Sequence, residues 1–180
     1  MISDNNNNNN NNNSNNNIIL IGMPASGKST LGVILAKVLG YKFIDSDILI
    51  QQQQDRKLSR IIEEDGIDKF LEIENDVNAS IETQRTVIAT GGSAVYGNKA
   101  MEHFKKIGKV VYLHVDIDLL ERRLSDIKQR GVVIRPGQTF EQLYNERMAL
   151  YKKYADITIV EKCDNVEKVL EELLVQLGEK

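Results

Sequence analysis

The chain has a single cysteine, Cys163, among its 180 residues. A lone thiol excludes an intramolecular disulfide framework and suits a reducing compartment, and it reads as a structural or surface thiol rather than a nucleophile. No apolar run approaches the roughly 20 residues that cross a bilayer. Positive charge is not in excess: the formal net charge is -3, which gives no electrostatic ground for a nucleic-acid partner. The two histidines, His103 and His114, lack metal-ligand spacing. The N-terminal stretch has neither the apolar core of a signal peptide nor the arginines of a transit peptide. A cytoplasmic protein that engages neither membrane nor nucleic acid is expected.

What is present begins with MISDNNNNNNNNNSNNN. This stretch cannot bury enough apolar surface to fold, so residues 1–17 read as a disordered asparagine-rich tail and residues 18–180 as one domain. From Ile18 onward, short apolar runs alternate with longer helical patterns. IILIG, YKFID, TVIAT, KVVYLHV and ADITIV are hydrophobic without alternation, as strands covered on both faces of a parallel sheet must be. STLGVILAKVLG has helical length and stops at Gly40. In the last sixteen residues, Val166, Leu170, Leu173, Leu174 and Leu177 form one helical stripe. The expected fold is an α/β three-layer domain with a central parallel sheet of about five strands.

Residues Gly22 to Ser29, GMPASGKS, fit G-x-x-x-x-G-K-[ST] at every position. The glycines let backbone amides curve around phosphates at a helix N-terminus. Lys28 would reach the β- and γ-phosphates, and the Ser29 hydroxyl would ligate Mg²⁺. The pattern arises by chance in roughly 1% of chains this long, and a strand before it and a helix after it make coincidence rarer still. Gly22, Ala25, Ser26, Gly27, Lys28, Ser29 and Thr30 are therefore the candidate nucleotide contacts. The base-reading N-K-x-D of a GTPase is absent. A compact P-loop kinase that transfers a γ-phosphoryl group to a small acceptor is the expectation.

FIDSD, residues 43–47, closes the second strand with two carboxylates. On extended backbone Asp45 and Asp47 would face the same way, toward the crevice at the carboxyl end of the sheet. One could hold the metal shell while the other accepts a hydroxyl proton. Alternatively, one of them caps the helix ILIQQQQ. A Gly91–Gly92 pair straight after an apolar strand is either a close-approach site or a plain turn.

The phosphate loop, DSD after the second strand, TGGSAV at 90–95, IRP at 134–136 and ERMALYKKYA at 146–155 together resemble the shikimate kinase family from Ile18 to the end. The resemblance implies a nucleoside-monophosphate-kinase-like fold, and transfer from ATP to a ring hydroxyl of shikimate. It places Asp45 near the metal, Asp47 near the acceptor hydroxyl, and Gly91 and Gly92 against the substrate. Arg135 falls in a mobile lid over about 128–139, where its guanidinium would meet the transferring phosphoryl group. Arg147 matches the arginine that grips the substrate carboxylate; by itself it would read as a helix-surface charge. Arg130, where the lid begins, is a candidate for packing on adenine, whereas the arginines of ERR at 121–123 read as a solvated helix face. A small kinase of this kind is expected to act as a monomer.

The acceptor side departs from the family pattern. The family's G-E-x-x-F-R-x-x-E appears as GIDKFLEIE, residues 66–74, so Leu71 stands where half of a two-arginine carboxylate clamp is expected. Losing one such contact costs about 1.5–3 kcal/mol. Lys69 is two residues away and projects from another helix face. Ser93 replaces a third glycine, RPGQ replaces RPLL, and Ala25 takes a position that is usually glycine, which suits it if its φ is negative. Shikimate phosphorylation leads; the same chemistry on another small hydroxy acid or polyol, or a non-catalytic nucleotide-binding module, remains open.

Overall fold

The computed structural model describes residues 16–124, 133–161 and 165–179. Arg130 and Cys163 therefore lie outside the described residues. The five apolar runs form β1 (Asn17–Ile21), β2 (Lys42–Asp45), β3 (Thr86–Ala89), β4 (Gly108–Val115) and β5 (Ile157–Glu161). All pair in parallel, in the order β2-β3-β1-β4-β5. Along β1 successive side chains go to opposite faces. Ile19 and Ile21 join Ile88, Val110 and Tyr112, while Ile18 and Leu20 join Val87, Val111 and Leu113. Both faces are dry, which is why the runs do not alternate with polar residues.

The helices are α1 (Lys28–Leu39), α2 (Ser46–Gln54), α3 (Leu58–Asp65), α4 (Ile67–Ala79), α5 (Asn98–Ile107), α6 (Ile117–Leu124), α7 (Phe140–Tyr154) and α8 (Val166–Leu177). α1 and α8 cover one face of the sheet through Leu31, Leu35, Leu173 and Leu174. α5, α6 and α7 cover the other through Met101, Phe104, Leu120 and Tyr151. α2, α3 and α4 build a separate apolar cluster of Ile50, Ile61, Phe70 and Val77, closed by Val133. α1 stops where the Gly40 N–H bonds back to the Ala36 and Lys37 carbonyls. α7 starts with a reciprocal capping box between Thr139 and Gln142.

The domain begins one residue earlier than composition suggests, because Asn17 is the first residue of β1 and not part of the tail. Its buried amide donates to the carbonyls of Thr83 and Ile107, both at 2.9 Å, and accepts from the Thr86 N–H at 3.0 Å. The side chain ties the start of β1 to the start of β3 and the end of α5, a role that no count of asparagines discloses. The α8 stripe is also divided. Leu173 and Leu174 are buried, but Val166 is 38% exposed and faces the cleft described below.

Candidate active site

The carboxyl ends of β1, β2 and β3 open into one cleft of about 580 Å³. Its near wall is the phosphate loop. Gly22 has φ +151°, and a Cβ there would lie 2.7 Å from the Leu113 carbonyl oxygen, so no side chain fits. Gly27 takes φ +85° at the start of α1. Ala25 corrects the sequence expectation: its φ is +65°, the left-handed region that costs an L-residue roughly 1–2 kcal/mol. Its carbonyl accepts from Arg123 Nη1 at 3.2 Å. Lys28 is buried, with Nζ donating to the carbonyls of Gly22 (2.9 Å) and Met23 (2.8 Å) and to Ser26 Oγ (3.3 Å). Burial lowers its pKa to about 8 against the opposing pull of Asp47, and an anion placed beside it would raise that pKa again.

Ser29 Oγ donates to Asp45 Oδ2 at 2.8 Å. The other oxygen of Asp45 caps α2, accepting from the N–H groups of Asp47 (3.0 Å) and Ile48 (3.4 Å). Asp45 is thus the cap of α2, with its second oxygen held by Ser29. The reasoning from extended backbone fails, however. β2 ends at Asp45 and α2 begins at Ser46, so Asp47 reaches the cleft from the first turn of a helix. There burial raises its pKa to about 6, helped by Asp45 and opposed by Lys28. A hydroxyl and a carboxylate beside the phosphate loop are hard oxygen donors and fit a divalent metal that takes its other ligands from phosphate and water. Among the described residues no group of three or more His, Cys, Asp or Glu forms a metal cage.

The far wall is the turn after β3. The Gly91 N–H donates to Ser46 Oγ at 3.3 Å, and the Gly92 carbonyl accepts from the Tyr151 hydroxyl at 2.7 Å. A Cβ on Gly92 would lie 2.6 Å from Pro24 and 3.1 Å from Arg147 Nη1. These glycines are a close approach and not a plain turn. Arg147, which reads in isolation as a surface charge, is 1% exposed. Its Nη2 donates to the Val133 carbonyl at 2.8 Å, its Nε donates to the Tyr96 hydroxyl at 3.3 Å, and its guanidinium lies 5.3 Å from the Tyr96 ring centroid. Helix α7 therefore carries a buried guanidinium to the cleft opposite the phosphate loop.

Arg135 is elsewhere. It is 59% exposed and paired with Asp68 of α4 at 2.8 Å, beside a smaller pocket of about 230 Å³ shared with Leu71 and Tyr96. Arg135 does not line the cleft that holds Lys28. Leu71 packs into the cluster of Ile50, Phe70 and Val133, and Lys69 pairs outward with Glu72, so neither supplies a second guanidinium-like contact.

Two charged residues lie where the sequence did not place them. Arg123 is no solvated face: Nη2 pairs with Glu161 at 2.6 Å, and both residues line the cleft with Val166 and Val169. The signal was its position three after buried Leu120, on the inward face of α6. Glu74 is buried behind Gly91, four residues after Phe70 and on the same face of α4.

A family model described as Shikimate kinase matches residues 24–178. The chain is 34% identical to the shikimate kinase of Sulfurihydrogenibium sp. (strain YO3AOP1) over 161 residues, which is 89% of this chain and 96% of that one. It is 39% identical to the shikimate kinase of Clostridium botulinum (strain Langeland) over 140 residues, 76% of this chain and 82% of that one. The structure of shikimate kinase from Acinetobacter baumannii in complex with shikimate superimposes with a TM-score of 0.80 at 32% identity, covering 92% of this chain and 94% of that one. Since the family model runs from the phosphate loop through the far wall of the cleft to the end of α8, the chain belongs to the shikimate kinase family.

Proposed function

We propose that this protein transfers the γ-phosphoryl group of ATP to a ring hydroxyl of shikimate, acting as a monomer in the cytoplasm with Mg²⁺. The observation that carries this reading is that one cleft is lined by Lys28 on one side and by Asp47, Gly91, Gly92 and Arg147 on the other. Phosphate donor and hydroxy-acid acceptor can thus lie face to face. The acceptor oxygen attacks the γ-phosphorus, its new bond forming as the bond to the β,γ-bridging oxygen breaks and ADP leaves. Asp47, ionised at neutral pH with a pKa of about 6, takes the hydroxyl proton. Lys28 follows the charge on the phosphates, and Arg147 holds the acceptor carboxylate. Ser29 and Asp45 would hold the metal, whose chemistry is to neutralise phosphate charge. Arg135 reaches the transferring group only after leaving Asp68. No helix among the described residues is long and apolar enough to cross a membrane.

Leu71 favours a second reading, the same transfer to another small hydroxy acid or polyol, because it removes one cation from the acceptor side. Release of ADP from Mg·ATP, with and without millimolar shikimate and with Lys28→Ala as the blank, separates the two. Strong shikimate-dependent turnover, lost in the blank, is expected. Basal hydrolysis that ignores shikimate sinks the proposal, and a panel of hydroxy acids and polyols then distinguishes another acceptor from a protein that only binds nucleotide.

A further inference from the structure

Glu74 is a polar side chain that the chemistry above does not use. It is 1% exposed, and neither carboxyl oxygen has a hydrogen-bond partner among the described residues. The Ser93 hydroxyl lies beside it and favours its charged form, but without completing hydrogen-bond geometry to either oxygen. Leu71, one turn earlier on the same helix, is committed to an apolar cluster and offers no charge. A Cβ built on Gly91 would meet both Glu74 Oε1 and Asp47 Oδ1 within 2.6 Å. The two carboxyls therefore stand no more than about 5 Å apart, on either side of the turn that floors the acceptor site.

We propose that Glu74 is a positioning residue of the acceptor half-site that works only while it holds a proton. Neutral, it leaves the charge of Arg147 to the acceptor carboxylate. Ionised, it takes that charge for itself and sets a second negative charge behind Asp47. The inference rests on the proposed function, in that it needs an anionic hydroxy acid gripped by Arg147.

The electrostatic surroundings agree with the geometry. Burial pushes the Glu74 carboxyl up to about 8, and Asp47 adds to the rise, while Ser93, Arg147 and Lys28 oppose it. Those are the charged groups turned toward it, from α2, α7 and α1, together with the Tyr151 hydroxyl of α7. α3 and α5 also flank α4, but Arg60, Glu64, Asp65 and Lys99 are engaged in surface ion pairs, and His103 is bound to the Ile81 carbonyl. In this chain a proton stands in for the guanidinium that Leu71 does not supply. If the acceptor binds the protonated form, its affinity is constant below about pH 8 and falls with each further rise, by up to about tenfold per unit.

The test is initial-rate kinetics on the full chain from about pH 6.5 to 9.5, with saturating Mg·ATP and varied shikimate. For the unaltered protein, KM for shikimate should be flat and then climb above about pH 8. Lys28 titrates in the same range, but it faces the phosphates and would show in KM for ATP. Glu74→Gln should keep KM within about threefold at pH 7 and abolish the climb, whereas Glu74→Ala should raise KM at every pH. Leu71→Arg, which supplies a charged partner, should also flatten the profile. Calorimetric binding at pH 8 in buffers of different ionisation enthalpy should show the unaltered protein taking up part of a proton with shikimate. A climb that persists in Glu74→Gln, or binding without proton uptake, overturns the proposal. Proton uptake decides by itself if the glutamine variant does not fold. Robust turnover at pH 7 with a flat profile sinks only the role of Glu74, whereas no shikimate-dependent turnover at all removes the acceptor assignment as well.

Discussion

Gly91→Ala is the smallest change that tests whether the acceptor wall is rigid. The added methyl would fall within 2.6 Å of both Glu74 Oε1 and Asp47 Oδ1, where ordinary contact begins at 3.4 Å. Each carboxyl must retreat by about 1 Å, or the turn must lift by that amount. Glu74 is a buried residue of α4 and has little room, so much of the shift passes to Asp47 and to the Gly91–Ser46 hydrogen bond. Overpacking of this kind costs about 1–3 kcal/mol, and a domain of this size loses roughly 2–4 °C of Tm per kcal/mol. If Asp47 takes the acceptor proton as proposed, moving it by 1 Å costs on the order of a hundredfold in rate. The phosphate loop lies across the cleft, so KM for ATP should change by no more than about threefold. Steady-state kinetics and thermal unfolding of the same preparation give all three numbers. A variant with unchanged kcat and Tm would show that the carboxyls slide aside freely, and the argument from close approach would fail.

Asn17→Ala leaves two buried carbonyls and one N–H without their partners, so chemical denaturation should show a loss of at least about 3 kcal/mol with kcat intact. Arg147→Met removes the guanidinium that, among the described residues, reaches the acceptor wall, and KM for shikimate should rise about ten- to a hundredfold with KM for ATP little changed. Glu74 provides a pH test of stability. Its pKa rises from an ordinary 4.5 to about 8 on folding, so the native state holds the proton more tightly, and stability contributed by the neutral form is lost as pH climbs through that window. Denaturation of Glu74→Gln should match the unaltered protein near pH 5 and exceed it at pH 8 by an amount on the order of a few kcal/mol.

The sheet was legible because strands dry on both faces have to be written as unbroken apolar runs, and all five lie where those runs are. The phosphate loop was legible because its geometry admits few residue types at fixed spacing. Charged side chains were harder. Arg123, Glu74 and Arg147 have the composition of a solvated helix surface, and only their phase relative to Leu120, Phe70 and Leu143 marks them as inward. Asp45 and Asp47 were found for a reason that the backbone overrules, since the helix starts between them. Ala25 shows the limit of reading conformation from residue type: nothing in its identity announces φ +65°. Asn17 was hidden in its own repeat, where one functional amide looks like its neighbours.

The strand order has a consequence for how the acceptor can change. β1 sits between β3 and β4, and everything on the β3 side from Ser46 to Tyr96 is a single unbroken length of chain. It holds Asp47, Leu71, Glu74, Gly91, Gly92 and Ser93, while Lys28, Ser29, Arg123 and Glu161 all lie outside it. Exchanging that length between relatives would carry across the acceptor wall as one cassette and leave the ATP half untouched. Arg147 alone would stay behind on α7, a fixed post against which each new wall must fit.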